Sequence, residues 1–310
     1  MRVVFMGTPD FAVGTLEEII KAGHEVLAVF TQPDKPKGRG KAMQFPPVKE
    51  TALAHDLTVY QPERVKDEEY VSILRELNPD VIVVVAFGQI LSKEILDLPR
   101  FGCVNVHASL LPKYRGAAPI QWAVIDGEKE SGVTTMLMNE GIDTGDMLKK
   151  VVVPLDEKET GGSLFDKLAE EGAKLLVETL VDLENGTATR TPQDHDKATK
   201  AKMLRKELGL IDFTKSAVEI ERLIRGLNPW PSAYTGYKGK TLKIWDATVI
   251  NEDKPGEAGQ IVEVTKNSLI VKTGDGLLSL EEVQLEGKKR MEIDAFLRGN
   301  MVEIGTKLER

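Results

Sequence analysis

The chain opens with an apolar run over residues 2–6, breaks at Gly7-Thr8-Pro9-Asp10, and resumes with apolar residues at Ala12, Val13, Leu16, Ile19 and Ile20 before Gly23. That order predicts a strand, a tight turn, an amphipathic helix and a glycine at the helix end. A strand over Glu25 to Thr31 follows, then helices around Pro47 to Ala54 and from Asp67 to Leu77. The run Val81 to Ala86 is almost wholly β-branched, and a strand apolar on both faces belongs inside a parallel sheet covered by helices. Residues 102–106 and 133–138 extend the series of strands, and residues 164–183 have helical period. Strands and helices alternating at this length predict a doubly wound, mostly parallel α/β sheet of Rossmann-like type, with ligands beyond the carboxyl ends of its strands.

The pattern changes after Asn185-Gly186, where a polar stretch and then lysine-rich residues read as a basic linker over residues 187–206. Ser216 and Glu219 have capping-box spacing ahead of Ile220, Leu223, Ile224 and Leu227, so a helix is expected near the start of a second domain. Beyond Tyr237, short apolar runs at Leu242 to Trp245, Gln260 to Val264, Ser268 to Lys272 and Leu277 to Val283 are separated by turn residues. They predict a small β-barrel or sandwich. The domains expected are therefore residues 1–186 and 207–310. A length of 310 residues suits two domains at roughly 150 residues each.

Composition narrows the function classes. With 41% hydrophobic and 29% charged residues the chain is an ordinary globular protein. A net charge of −8 argues against a protein that coats nucleic acid, because such binding needs cations over a wide area. Two local basic runs, Lys35-Lys37-Arg39-Lys41 and Lys197-Lys200-Lys202-Arg205-Lys206, fit either solvated loops or a localised polyanion contact. The single cysteine, Cys103, rules out an internal disulfide and a thiolate-rich zinc site, and fits a reducing compartment. The apolar run after Arg2 is too short for a secretory signal and Val81 to Phe87 too short for a membrane span, so a cytoplasmic location is expected.

The turn after the first strand lacks the Gly-x-Gly-x-x-Gly spacing that lets a backbone approach a pyrophosphate, and Pro9 removes an amide donor, which speaks against NAD or FAD. Chemistry concentrates further along. Asn105 and His107 leave a predicted strand on the same face, aiming an amide and an imidazole at one spot. In Gly141-Ile142-Asp143-Thr144-Gly145-Asp146, glycines bracket the Asp143 carboxylate on a tight loop. A histidine at a strand end is more often a satisfied surface residue than a catalyst, and Asp143 also suits a plain turn. Residue types alone leave both readings open.

The segment Asn105-x-His107-x-Ser109-Leu110-Leu111-Pro112, then Tyr114-Arg115-Gly116-Ala117-Ala118-Pro119 and Asp143-Thr144-Gly145-Asp146, resembles the folate-dependent formyltransferase family. Phe5-Met6-Gly7-Thr8-Pro9-Asp10-Phe11, the loop Gly38-Arg39-Gly40-Lys41 and Leu227-Asn228-Pro229-Trp230-Pro231 resemble the branch of that family that acts on methionyl-tRNA. Ser232 departs from the smaller residue frequent there and touches no expected role.

The resemblance covers nearly the whole chain and implies an OB-like second domain, 10-formyltetrahydrofolate as formyl donor, methionyl-initiator-tRNA as acceptor, and neither a metal nor a nucleotide cofactor. It implies Asn105, His107 and Asp143 as the catalytic set. Ser109, Leu110, Leu111 and Pro112, with Phe87, Gly88, Gln89, Ile90 and Leu91, would line the folate site. The loop holding Lys37, Arg39 and Lys41 would enter the tRNA acceptor end, and Lys200, Lys202, Arg205 and Lys206 would meet its phosphates. A monomer is expected.

Two other readings compete. One is a related folate formyltransferase or hydrolase with a small phosphorylated amine or water as acceptor; a ribonucleotide-formylating enzyme would not need the Gly38 to Lys41 loop or the domain after residue 206, and a sugar-formylating enzyme is a minor option. A nucleic-acid-binding module with a vestigial catalytic half would not need Asn105, His107 and Asp143 intact.

Overall fold

The computed structural model describes residues 1–37 and 42–309. Two compact units divide the chain: Met1–Pro119, Glu130–Pro154 and Phe165–Ala201 form the first, and Ile120–Lys129, Leu155–Leu164 and Lys202–Arg310 the second. Of the stretch read as a linker, residues 187–201 fall in the first unit and 202–206 in the second. Thr191 exchanges backbone hydrogen bonds of 2.8 and 2.9 Å with Met147, and Lys200–Ala201 pairs in parallel with Arg115–Gly116.

The first unit is built on a seven-stranded sheet. From one edge to the other its strands are Met147–Pro154, Glu130–Leu137, Cys103–His107, Val81–Val85, Arg2–Gly7, Glu25–Phe30 and Val59–Tyr60. The five strands from Cys103–His107 to Val59–Tyr60 run parallel, and Glu130–Leu137 is antiparallel to both its neighbours. Every residue of Val81–Val85 is buried, as its apolar run requires of an interior strand. On one face Val4, Met6, Phe30, Ile82 and Val84 pack against Val71 and Leu74 of the helix Glu68–Leu77. The first helix, Asp10–Lys21, buries Phe11, Ala12, Leu16 and Ile19, and Gly23 follows at φ +81° with its N–H on the Ile20 carbonyl. Met147–Pro154 has no counterpart among the predicted strands. It is an edge strand whose polar Lys149 and Lys150 break the apolar run, so its pairing comes from the neighbouring strand rather than from its own pattern.

The chain places Glu25–Phe30 on one side of Arg2–Gly7 and Val81–Val85 on the other, and in sheets of this kind the crevice for ligands lies at the carboxyl ends of the strands where the order reverses. Thr8 Oγ1 and Gln32 Nε2 both donate to the Phe87 carbonyl at 3.1 Å across this point.

The second unit holds an antiparallel sheet in the order Ala233–Tyr237, Lys240–Ile250, Leu277–Leu285, Leu269–Lys272, Ile261–Val264, with Met291–Glu292 added alongside Leu277–Leu285. Residues 307–309 join its two edges: Glu309 exchanges backbone hydrogen bonds of 3.0 Å with Gly236, and Leu308 N–H donates to Gly259 at 2.8 Å. That closure removes the exposed edges of a small sheet. Ile244, Leu280, Val283 and Phe296 form its core with Ile220 and Ile224 of the helix Ala217–Gly226. The predicted capping box starts that helix: Ser216 N–H donates to Glu219 Oε2 at 3.0 Å and Glu219 N–H to Ser216 Oγ at 3.2 Å. Among the described residues no helix is long and apolar enough to cross a membrane.

Candidate active site

Asn105 and His107 lie on Cys103–His107, beside Met136 and Thr134 of the antiparallel neighbour. Val104 and Val106 of the opposite face are buried, so strand alternation turns Asn105 and His107 the other way. His107 is buried and Asn105 half-buried, and the Asn105 side chain carries no hydrogen bond among the described residues.

The two-residue strand Arg115–Gly116 organises the centre. One of its edges pairs with residues 199–201: Arg115 N–H donates to the Thr199 carbonyl at 2.9 Å and Ala117 N–H to Ala201 at 3.0 Å. Across a trans peptide a carbonyl points opposite to the next N–H, so the Tyr114 carbonyl faces away from that pairing, and alternation along Arg115–Gly116 turns the Gly116 N–H the same way. The Tyr114 carbonyl lies 2.9 Å from His107 Nε2, and Gly116 N–H donates to Asp143 Oδ2 at 2.8 Å. A carbonyl only accepts, so Nε2 carries the hydrogen and Nδ1 is the ring nitrogen left for other partners. Nδ1 lies 3.7 Å from Asp143 Oδ2, an ion-pair distance beyond direct hydrogen-bond range. Gly116 has φ +118°, and a Cβ there would lie 2.7 Å from the Ala201 carbonyl oxygen, so only glycine brings this N–H to the carboxylate.

Asp143 itself sits in the left-handed region at φ +53°, uncommon for a residue with a side chain. Its loop is tied at several points. Asn139 Oδ1 accepts from Gly141 N–H at 3.0 Å and from Thr144 Oγ1 at 2.7 Å. A Cβ on Gly145 would run into the Leu137 carbonyl. Gln193 Nε2 donates to the carbonyls of Asp143 and Gly145 at 2.9 and 2.8 Å.

The two segments expected along folate are built differently. In Phe87–Leu91, Phe87 and Leu91 are buried in the sheet core while Gly88 is exposed and Ile90 is 73% exposed. Gln89 is held by the fold, accepting from Val65 N–H at 2.7 Å and donating to the Pro62 carbonyl at 2.8 Å. In Ser109–Pro112, Ser109 and Leu111 are buried, and Leu110 and Pro112 half-buried. Ser109 Oγ donates to the Lys113 carbonyl at 2.7 Å, and Leu111 packs on Met136 and Met147. Thr134 Oγ1 accepts from Leu111 N–H at 3.1 Å and donates to the Ser109 carbonyl at 2.7 Å. Lys150 Nζ donates to the Leu111 carbonyl at 2.5 Å, and burial holds its ammonium below the usual lysine range. The side chains of Phe87, Leu91, Ser109 and Leu111 are thus committed to the fold, whereas Gly88 and Ile90 are exposed and Leu110 and Pro112 half-buried.

Cys103 shares the strand with Asn105 and His107 but is buried, its Sγ 3.6 Å from the Ile95 carbonyl. Burial pushes the thiol up to about 12, so it supplies no thiolate nucleophile near neutral pH.

Of the expected tRNA-contacting cations, Arg39 and Lys41, with the side chain of Lys37, lie outside the described residues, as do Gly38 and Gly40. Lys35–Lys37 and Ala42–Gln44 on either side pair as antiparallel strands. An Asp34–Lys49–Gln61 network adjoins Lys35: Lys49 Nζ lies 2.7 Å from Asp34 Oδ2, and these hydrogen bonds hold the Asp34 carboxyl below the usual carboxylate range. Lys200 is exposed in the first unit, and Lys202, Arg205 and Lys206 are exposed in the second.

Residues 1–180 match the family described as formyl transferase, and residues 203–301 its C-terminal domain. The methionyl-tRNA formyltransferase of Agathobacter rectalis is 64% identical over 306 residues, 99% of each chain. That of Clostridioides difficile is 53% identical over 308 residues, 99% of this chain and 100% of that one. The chain belongs to the methionyl-tRNA formyltransferase family. Among solved structures, WlaRD, a sugar 3N-formyl transferase crystallised with dTDP and 5-N-formyl-THF, has a TM-score of 0.68 at 22% identity, covering 93% of this chain and 99% of that one. HypX from Aquifex aeolicus in complex with tetrahydrofolic acid has a TM-score of 0.63 at 17% identity, covering 99% of this chain and 50% of that one. At such identities the likeness is one of fold.

Three partners of the centre carried no expected role in the sequence: the Tyr114 carbonyl, the Gly116 amide and the Gln193 side chain. The first two lie inside a segment noticed for its resemblance, and Gly116 offered a signal in its glycine. Gln193 sits in a polar stretch that reads as linker, and nothing local distinguishes it there.

Proposed function

We propose that this protein transfers the formyl group of 10-formyltetrahydrofolate to the amino group of methionyl-initiator-tRNA, giving formylmethionyl-tRNA for translation initiation. The observation that carries this reading is the identity of more than half with named methionyl-tRNA formyltransferases across both halves of the chain. A sugar acceptor is supported only by similarity of fold.

The amine attacks the formyl carbon, a tetrahedral oxyanion forms, and the folate nitrogen leaves with a proton. Asn105, whose side-chain amide has no partner among the described residues, donates to the oxyanion, a role in which one donor contributes about 10²- to 10³-fold. His107 has Nε2 fixed on the Tyr114 carbonyl, so Nδ1 is its working atom, with the Asp143 carboxylate beside it to stabilise a proton there. Asp143 takes the ammonium proton, relayed through a water. An α-amino group titrates at about 7.7 to 8.0, so no covalent intermediate is required. Gly88 and Ile90 at the central crevice, with the main chain of Ser109–Pro112, hold the folate. Tyr114, Gly116 and the loop of Asp143 orient the reacting groups.

In this reading Lys37, Arg39 and Lys41 meet the acceptor end of tRNA, and Lys200, Lys202, Arg205 and Lys206 its phosphates. The protein works in the cytoplasm as a monomer, with residues 1–186 as the formyltransferase domain, 187–206 as a linker and 207–310 as the tRNA-contacting domain. The test is mass analysis of charged initiator tRNA after incubation with the protein and 10-formyltetrahydrofolate. Formylmethionyl-tRNA is expected from the wild type, with turnover largely lost in Asp143→Asn. No formylated product, or wild-type kcat in the variant, refutes respectively the activity or the role of Asp143.

A further inference from the structure

Gln193 is buried and every hydrogen-bonding group of its amide is used. Its Oε1 accepts from Arg115 Nε at 3.0 Å and from Arg115 Nη2 at 2.7 Å. Its Nε2 donates to the Asp143 and Gly145 carbonyls at 2.9 and 2.8 Å. The orientation of the amide is fixed by chemistry, since a guanidinium only donates and carbonyls only accept. The dipeptide Arg115-Gly116 therefore grips Asp143 twice. Gly116 N–H holds the carboxylate directly, and Arg115, through Gln193, holds the main chain on which that carboxylate is carried. A side chain at φ +53° gains little from its own backbone preference, so the loop depends on such external ties.

We propose that Gln193 is a positioning residue for formyl transfer: by clamping the Asp143 loop to Arg115 it fixes the Asp143 carboxylate against Nδ1 of His107. The proposal rests on the reading that Asp143 takes part in proton transfer. Displacing a reacting group by about 1 Å can cost on the order of 100-fold in rate. Gln193 is expected to act on kcat, because it is buried and its amide is taken up by Arg115 and the loop.

Gln193→Met keeps the length and removes both sets of bonds, while Gln193→Glu keeps the acceptor for Arg115 and sets a carboxylate against the two carbonyls. Each is expected to lower kcat by about 10- to 100-fold, with KM for 10-formyltetrahydrofolate and for methionyl-tRNA unchanged within about twofold. The decisive measurement is a double-mutant cycle with Asp143→Asn, using rates per folded enzyme. If Gln193 acts through Asp143, changing it in the Asp143→Asn background alters kcat by less than about twofold. An equal loss in both backgrounds is the signature of a merely structural role and overturns the proposal, as does full kcat in both Gln193 variants beside an impaired Asp143→Asn enzyme. Wild-type kcat in Asp143→Asn alone would instead sink the underlying reading of the site. Should Gln193→Met fail to fold, Gln193→Glu carries the same outcomes.

Discussion

Two parts of the first unit are built in opposite senses. Around His107 and Asp143 the main chain serves the side chains: the Tyr114 carbonyl orients the imidazole, and the Gly116 amide orients the carboxylate. Along Phe87–Leu91 and Ser109–Pro112 the side chains serve the main chain. Phe87 and Leu111 are anchored in apolar clusters, and Ser109 and Thr134 lock the loop by hydrogen bonds. The difference teaches that residues of one motif need not share a kind of role. His107 and Ser109 stand two positions apart, yet the hydroxyl of Ser109 is turned to Lys113 and the ring of His107 to Asp143.

That contrast predicts opposite mutational signatures. The largest effect is expected on the folding side: Phe87→Ala removes a fully buried ring and should cost about 3–5 kcal/mol in urea-induced unfolding of the protein. A variant as stable as the wild type but weak in folate binding would mean that the ring faces the ligand, and the contrast would fail. Next comes Asn105→Ala, expected to lose about 2.7–4 kcal/mol of transition-state stabilisation, seen as a drop in kcat, while the unfolding midpoint stays put. Equal losses in both measurements would move Asn105 to the structural class. The smallest effect sharpens the baseline away from the crevice: Ser216→Ala breaks the capping box of Ala217–Gly226 and should cost about 1 kcal/mol of stability at unchanged kcat. A kcat change there would show that stability and turnover are not separable in this protein.

Much of the fold was legible because its signals are local. The helix Pro47–Ala54 has the bounds its pattern predicts, Ser216 and Glu219 form the capping box their spacing announces, and Val81–Val85 is the interior strand its branched residues require. Met147–Pro154 was not legible, since Lys149 and Lys150 interrupt the alternation and its pairing with Glu130–Leu137 is non-local. The short strand Lys200–Ala201 was hidden for the same reason: its partner, Arg115–Gly116, is far away in sequence.

The sequence alone determined the class of sheet, the second antiparallel unit and the side of the strand from which Asn105 and His107 project, because hydrophobic period and strand alternation are properties of neighbouring residues. Tertiary structure alone decided that Nε2 of His107 is held by Tyr114, that Asp143 is reached by the Gly116 amide, and that a glutamine from a stretch resembling a linker closes the ring of bonds around them. The physical reason is that hydrogen bonds between distant segments depend on where each backbone group points once the chain has folded, and residue type carries no record of that direction.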